Sequence, residues 1–294
     1  MPSERYSAIM DDELDPVAQT ARWTAAARAR ETERPDRLFA DPLAAHLAGA
    51  VGFAILDREP AEVRANPYLP IRTRVLDDWL SHCVADLAVT QVVLLGAGFD
   101  CRAYRMPWPE GVVLWELDVP ELLHLKARLL AAAGAAPRCE RRVVAVDLTS
   151  DEWPTYLVRA GFVAEVGSVW LAEGLWAYWP ARAVERAMQD IAELAAPASH
   201  LLTDFVSQDF LESPWTASYL RLLEERGTPW RFGTNQPEAL LAAHGWRAEA
   251  VLQPGEPGAA FGRWPYPVAP RSVPGLPRSF LVHATREPEN LQED

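Results

Sequence analysis

Val92-Val93-Leu94-Leu95-Gly96-Ala97-Gly98-Phe99-Asp100, followed by Leu114-Trp115-Glu116-Leu117-Asp118, decides how this chain folds. An apolar, partly β-branched run enters a glycine-rich turn. A second apolar run then ends on a carboxylate roughly twenty residues after the glycines, the spacing of a nucleotide cradle in a βαβ unit. The glycines let the backbone approach a ligand closely, and a carboxylate at the tip of the next strand can accept from both hydroxyls of a ribose.

Working outward, the pattern alternates strand and helix. Strands are expected at 91–95, 112–117, 142–146, 167–172 and 199–206, with helices near 119–132, 151–160 and 181–195 between them. Pro120 and Gly134 punctuate the first of these helices at its two ends. Helices near 213–226 and 237–244 follow, then strands near 246–252 and 279–285. The alternation predicts an α/β fold with a doubly wound, mostly parallel, seven-stranded sheet. Upstream, the first ~90 residues read as helical. Thr20 is expected to cap one helix, Asp41-Pro42 to start another, and Leu69-Pro70 to open a third whose apolar stripe is Leu76, Trp79, Leu80, Cys83 and Leu87. The expected organisation is a helical N-terminal lid over residues 1–88 and a core over 89–294, the core carrying a lid insertion near 207–240 and a Pro/Gly-rich loop at 253–278. A loop that long is usually functional, and it is expected to help choose the substrate.

Composition narrows the partners. The 294 residues are 49% hydrophobic, enough for a sizeable core, and the formal net charge of −13 argues against nucleic acid or an anionic membrane. The polar, acidic N-terminus reads as no signal peptide, and no apolar run approaches spanning length, so a cytoplasmic location is expected. The three cysteines form no C-x-x-C pair and the six histidines no H-x-x-x-H pair, so no metal is expected.

The cofactor follows from what the turn lacks. A nicotinamide dehydrogenase prefers G-x-G-x-x-G, and here Cys101 takes the third glycine position. A cofactor without a pyrophosphate asks less of that turn, and S-adenosylmethionine (SAM) is one. Two later strand ends repeat the acidic tip: Val143–Val146 ends on Asp147, and Val169–Ala172 on Glu173. Asp118, Asp147 and Glu173 then gather on one rim, which suits hydroxyls, an exocyclic amine and positive ammonium and sulfonium groups. Taken singly, each is also satisfied as a helix cap or a solvated carboxylate. A dehydrogenase and a non-catalytic nucleotide-binding protein stand as alternatives.

With those residues in hand, the chain resembles the leucine carboxyl methyltransferase family, and within it the bacterial branch of SAM-dependent O-methyltransferases that includes polyketide carboxyl methyltransferases. The matching motifs are Arg72-Thr73-Arg74-Val75-Leu76-Asp77-Asp78, Leu95 through Arg105, Glu116-Leu117-Asp118-Val119-Pro120-Glu121, Asp147-Leu148 and Ala172-Glu173-Gly174-Leu175-Trp176-Ala177-Tyr178, with Phe232-Gly233-Thr234 and Ala243-His244-Gly245-Trp246 nearer the C-terminus. The resemblance implies a Rossmann-like methyltransferase sheet under a helical lid. It implies that Arg72 pairs with the cofactor carboxylate, that Gly96, Ala97 and Gly98 back the methionine end, and that Asp118 with Val119 holds the ribose. Asp147 with the Leu148 backbone would read adenine, and Glu173 would lie near the methionine amine. A lysine that reaches the cofactor carboxylate in eukaryotic members has no clear counterpart, Arg22 and Arg28 being the nearby cations.

Methyl transfer from a sulfonium is an in-line displacement. A carboxylate acceptor is already ionised near neutral pH and needs no base, whereas a phenol with pKa near ~10 calls for one. No His/Asp base motif stands out, so the expectation is methyl esterification of a small, secondary-metabolite-like acid, with phenol or hydroxyl methylation as the alternative. The aromatic surroundings point to a bulky apolar acceptor. Tyr178 and Arg22 are the expected catalytic groups. Trp176, Tyr178, Trp215, Tyr219 and Arg263 are the expected substrate contacts, S-adenosylhomocysteine the co-product, and a monomer or homodimer the assembly.

Overall fold

Residues 16–288 are described by the structure, a computed structural model. The expected segments 1–88 and 89–294 therefore extend, at 1–15 and 289–294, outside the described residues. Seven strands form one sheet: β1 (Gln91–Leu95), β2 (Val113–Asp118), β3 (Glu140–Ala145), β4 (Ser168–Ala172), β5 (His200–Val206), β6 (Trp246–Leu252) and β7 (Ser279–Arg286). Their order is β3-β2-β1-β4-β5-β7-β6, parallel from β3 through β5 and antiparallel where β7 joins β5 and β6. The expected doubly wound, mostly parallel sheet is what forms.

The alternation inside β1 shows why. Val92 and Leu94 enter the core on one face of the sheet, and Val93 and Leu95 the core on the other. Successive side chains in a strand point to opposite faces, so a strand covered on both sides reads as a continuous apolar run. β4 repeats this, with Val169 and Leu171 on the first face and Trp170 and Ala172 on the second.

The first face is covered by the N-terminal helices α1 (Pro16–Thr32), α2 (Ala44–Asp57) and α4 (Tyr68–Ser81), the last packing on β5 and β7, while α3 (Ala61–Ala65), between α2 and α4 in the chain, buries no residue. After α5 (Arg102–Arg105), α6 (Pro120–Ala132) lies on this side against α2. The second face takes α7 (Trp153–Arg159), α8 (Ala181–Leu194) and, after α9 (Gln208–Glu212) and α10 (Ala217–Glu225), α11 (Pro237–Ala242). β1 lies between β2 and β4, the point where the winding direction reverses and where open α/β sheets bind ligands beyond their carboxyl ends.

Local start signals were less faithful than the periodicity. Thr20 lies inside α1, which already runs from Pro16, and its hydroxyl donates to Val17 O at 2.6 Å. Asp41 accepts the turn from Ala44 N through its backbone carbonyl, while its buried carboxylate goes to Arg28 instead of to a cap. The helix expected near 213–226 is α10, and a short helix that was not expected, α9, precedes it, capped by the Ser207 hydroxyl. Cys83 falls not in α4 but in a π-helical turn, His82–Asp86, that follows it. The 253–278 stretch holds no helix or strand. Its Ala259, Phe261 and Trp264 form a small core with Ile71 and Val75 of α4.

Candidate functional site

One cavity of about 760 Å³ opens over the carboxyl ends of β1, β2, β3, β4 and β5. Its floor is the Gly96-Ala97-Gly98 turn, where Gly96 and Gly98 have φ of +66° and +44°. L-residues rarely adopt such angles, and a Cβ at Gly96 would come within 2.8 Å of Leu175 Cδ1. Asp118 clamps this turn: Oδ2 accepts from Gly98 N at 2.6 Å, and Oδ1 accepts from Val119 N at 2.8 Å. Behind it, Ala97 N donates to Leu117 O at 3.0 Å. Asp147, Leu148 and Thr149 line the next sector. There Asp147 Oδ1 accepts from both Thr149 N (2.8 Å) and Thr149 Oγ1 (2.7 Å), closing an Asx turn that fixes the loop.

The opposite wall is an ion-pair network. Arg72, near the start of α4, donates from Nε to Glu173 Oε1 at 3.0 Å and from Nη1 to Asp204 Oδ2 at 3.1 Å. Thr73 adds a hydroxyl to Glu173, Tyr68 adds one to Asp204 at 2.9 Å, and Gly174 N donates to Asp204 Oδ1 at 2.6 Å. Arg102, 1% exposed, reaches Glu173 Oε2 at 2.7 Å, Asp77 Oδ1 at 2.7 Å, and Asp100. Burial alone raises a carboxyl pKa, but Arg102 and Arg72 reverse this at Glu173 and hold it well below the usual carboxylate range. The same competition, burial against Arg102, leaves Asp100 lowered. At Arg72 burial works against the charge, and Asp204 and Glu173 more than compensate, so its pKa is raised.

Beyond the rim the cavity becomes apolar and aromatic, lined by Tyr178, Trp179, Tyr219, Leu223, Trp230 and Phe232. Tyr219 and Trp230 meet edge to face, with ring centroids 5.6 Å apart. Burial pushes the Tyr178 phenol above its ordinary value, so at neutral pH it is a hydrogen-bond donor.

The structure brings together, around this one cavity, Arg72, Gly96, Ala97, Gly98, Asp118, Val119, Asp147, Leu148, Glu173, Trp176, Tyr178 and Tyr219. It does not bring Arg22, Trp215 or Arg263 there. Arg22 is buried on the α2 side of α1, its Nη1 donating to Leu47 O and Ala48 O at 3.2 and 3.1 Å. Arg28 lines the cavity instead, held by Asp41 and by Phe99 O. Trp215 is 73% exposed and outside the lining. Arg263 is tied to buried Glu31 at 2.9 Å. None of residues 253–278 lines the cavity, so the long loop does not touch what lies in it; it buttresses α4. Trp176 reaches the cavity but is 1% exposed and donates from Nε1 to Thr203 Oγ1, so it is mainly wall. Sequence reading missed Asp204 and Arg102. A carboxylate inside the fully buried strand His200–Val206 was the available signal, since a buried charge needs a partner.

Residues 21–192 match the sequence profile of the leucine carboxyl methyltransferases. This chain belongs to that family. Among its relatives, a protein of Parafrankia sp. (strain EAN1pec) is 41% identical over 245 residues, covering 80% of this chain and 78% of its own. One of Streptomyces coelicolor (strain A3(2)) is 39% identical, covering 84% and 88%, and one of Mycobacterium avium (strain 104) is 35% identical, covering 85% and 90%. All three bear the name of S-adenosyl-L-methionine-dependent methyltransferases. The fold is shared with a crystal structure of a methyltransferase from Thermobifida fusca, at a TM-score of 0.56 and 16% identity over 90% of this chain and 94% of that one. The chain is thus a SAM-dependent methyltransferase, which sets the nicotinamide reading aside. No helix among the described residues is long and apolar enough to cross a membrane.

Proposed function

We propose that this methyltransferase esterifies a carboxylate of a bulky, apolar, small-molecule acid of the secondary-metabolite type. The observation that carries the reading is the cavity's lining. Among the described residues it includes neither His nor Lys. Its carboxylates Glu173 and Asp204 are engaged by Arg72, and Glu59 pairs with Arg226. A phenol would need a proton acceptor poised near neutral pH, and a carboxylate does not. The lining holds five arginines and six carboxylates, a near balance that does not repel an anion despite the chain's net charge of −13.

In this reading the strand-end rim holds the cofactor. The clamped glycine turn leaves room for its methionine end. Asp118 accepts from the ribose hydroxyls, a carboxylate having capacity for about four hydrogen bonds. Asp147 and Leu148 face adenine. Arg72 and Arg28 attract the cofactor carboxylate, while Glu173 and Asp204 attract its ammonium. Bound SAM supplies an electrophilic methyl group. The helical segment before residue 89 and the insertion at 207–240 both contribute lining residues and serve as the lid. The aromatic chamber excludes water and fixes the acceptor, and protonated Tyr178 donates to the acceptor carboxylate to aim it.

The test is S-adenosylhomocysteine release with a panel of bulky apolar acids and their primary amides. Turnover on acids and none on amides is expected; turnover on phenols lacking a carboxylate contradicts the assignment.

A further inference from the structure

On the first face of the sheet, among the residues that do not line the cavity, three soft or borderline donors converge from distant parts of the chain. Cys83 comes from the π-helical turn after α4, His200 from β5 and His283 from β7. Their donor atoms all lie within 4.8 Å of one another, and the residues are 0%, 7% and 9% exposed. The convergence is invisible in sequence because no two of the three are near each other along the chain. It is made by the antiparallel register, which pairs Leu202 with His283 and His200 with Thr285 and so leaves the two imidazoles diagonal on one face.

His200 Nδ1 and His283 Nε2 are 3.1 Å apart. That is close to the ~3.3 Å separating two nitrogens on a tetrahedral zinc ion with Zn–N bonds of ~2.0–2.1 Å. As a bare hydrogen bond this contact occupies one N–H and one lone pair, and it leaves the Cys83 thiol outside it. The third ligand comes from a π-helical turn, a rare device that re-aims side chains and recurs at functional sites. Thr285 Oγ1, 3.4 Å from His200 Nδ1, stands beside the group.

We propose that Cys83, His200 and His283 bind one zinc ion, with the Thr285 hydroxyl or a water completing the tetrahedron. On binding, the Cys83 thiol releases its proton to solvent and both histidines coordinate as neutral imidazoles. The set of one thiolate and two imidazoles is one that zinc accepts and that magnesium and calcium do not. The ion pins the end of α4 to β5 and β7. Because α4 carries Arg72 and Thr73, the zinc braces one wall of the cavity without touching its contents.

The probe is zinc alone, added to chelator-stripped full-length protein against a chromophoric competitor. One equivalent per chain is expected, with a rise in Tm on the order of 5 °C at zinc about 100-fold above its Kd. Cobalt in its place should give a thiolate-to-cobalt charge-transfer band. Cys83→Ala and His283→Gln should each weaken zinc by about 100-fold and abolish the Tm rise; Cys83→Ala should also remove the band. Cys139→Ala, at another thiol, should keep all three. Uptake that stays substoichiometric, or that Cys83→Ala leaves unchanged in protein shown by circular dichroism to be folded, overturns the proposal.

Discussion

Asp118 and Glu173 carry the same charge at equivalent strand ends and do different work. Asp118 is held by backbone N–H groups of the turn it faces, so main chain fixes its carboxylate at the cavity wall. We predict that Asp118→Ala weakens SAM binding by at least about tenfold, the equivalent of one lost hydrogen bond to a charged group. Isothermal calorimetry checks this, and undiminished affinity contradicts the ribose role. Glu173 is instead held by Arg72 and Arg102. Its pKa is lowered on folding, so its stabilising contribution is complete above the ordinary carboxylate range and is lost as pH falls below it. Glu173→Gln leaves two buried guanidinium groups under-compensated, and we predict a loss of about 3–5 kcal/mol near pH 7. Thermal melts between pH 6 and 3 should show a flatter acid limb in the variant; an unchanged limb would place the acid sensitivity elsewhere. Both residues were legible in sequence as acidic ends of apolar runs. The choice between Arg22 and Arg28 was not. One helix is mostly alanine on several sides, so nothing in the local pattern says which arginine turns toward the cavity, and a helical position shifts direction by about 100° per residue.

The elements show where pattern is strong and where it is not. β1, β2 and β4 were readable to within a residue because each is a short apolar run ended by glycine or a carboxylate. α10 was readable near 213–226, but α9 was not, because five residues are too few to show a helical period. The Pro/Gly-rich loop misled for another reason: its aromatics serve a local core against α4, which sequence cannot tell from a pocket. Within β2, Glu116 is fully buried and paired with fully buried Lys126 at 2.7 Å and with Arg141 at 2.6 Å. We predict that Lys126→Ala costs about 3–5 kcal/mol by stranding Glu116, while the Lys126→Met/Glu116→Leu pair recovers most of it. Urea unfolding of both variants decides; equal losses would mean that packing, not charge, dominates there. On the lid side, Trp230→Ala removes an apolar wall worth ~1.5–3 kcal/mol. We predict at least about a tenfold fall in kcat/KM, carried by KM, with SAM affinity intact; an equal loss in SAM binding would mean that the aromatic chamber is not separate from the cofactor sector.

At the scale of the molecule, the fold places a polar, charge-balanced rim beside an apolar chamber in one cavity of about 760 Å³. The rim follows from the winding of the sheet, which is why it could be read from strand ends alone. The chamber draws on residues near 16–73, 178–179 and 219–232 that are far apart in the chain. Its shape, and so the identity of the acceptor, is a tertiary property that no local motif encodes. The most direct measurement uses methyl-labelled SAM and a bulky apolar hydroxy acid carrying both a carboxylate and a phenol. The product is exposed to mild alkali and analysed by mass spectrometry. The account predicts label on the carboxylate, released by alkali as methanol; label retained as an alkali-stable phenyl ether would contradict it.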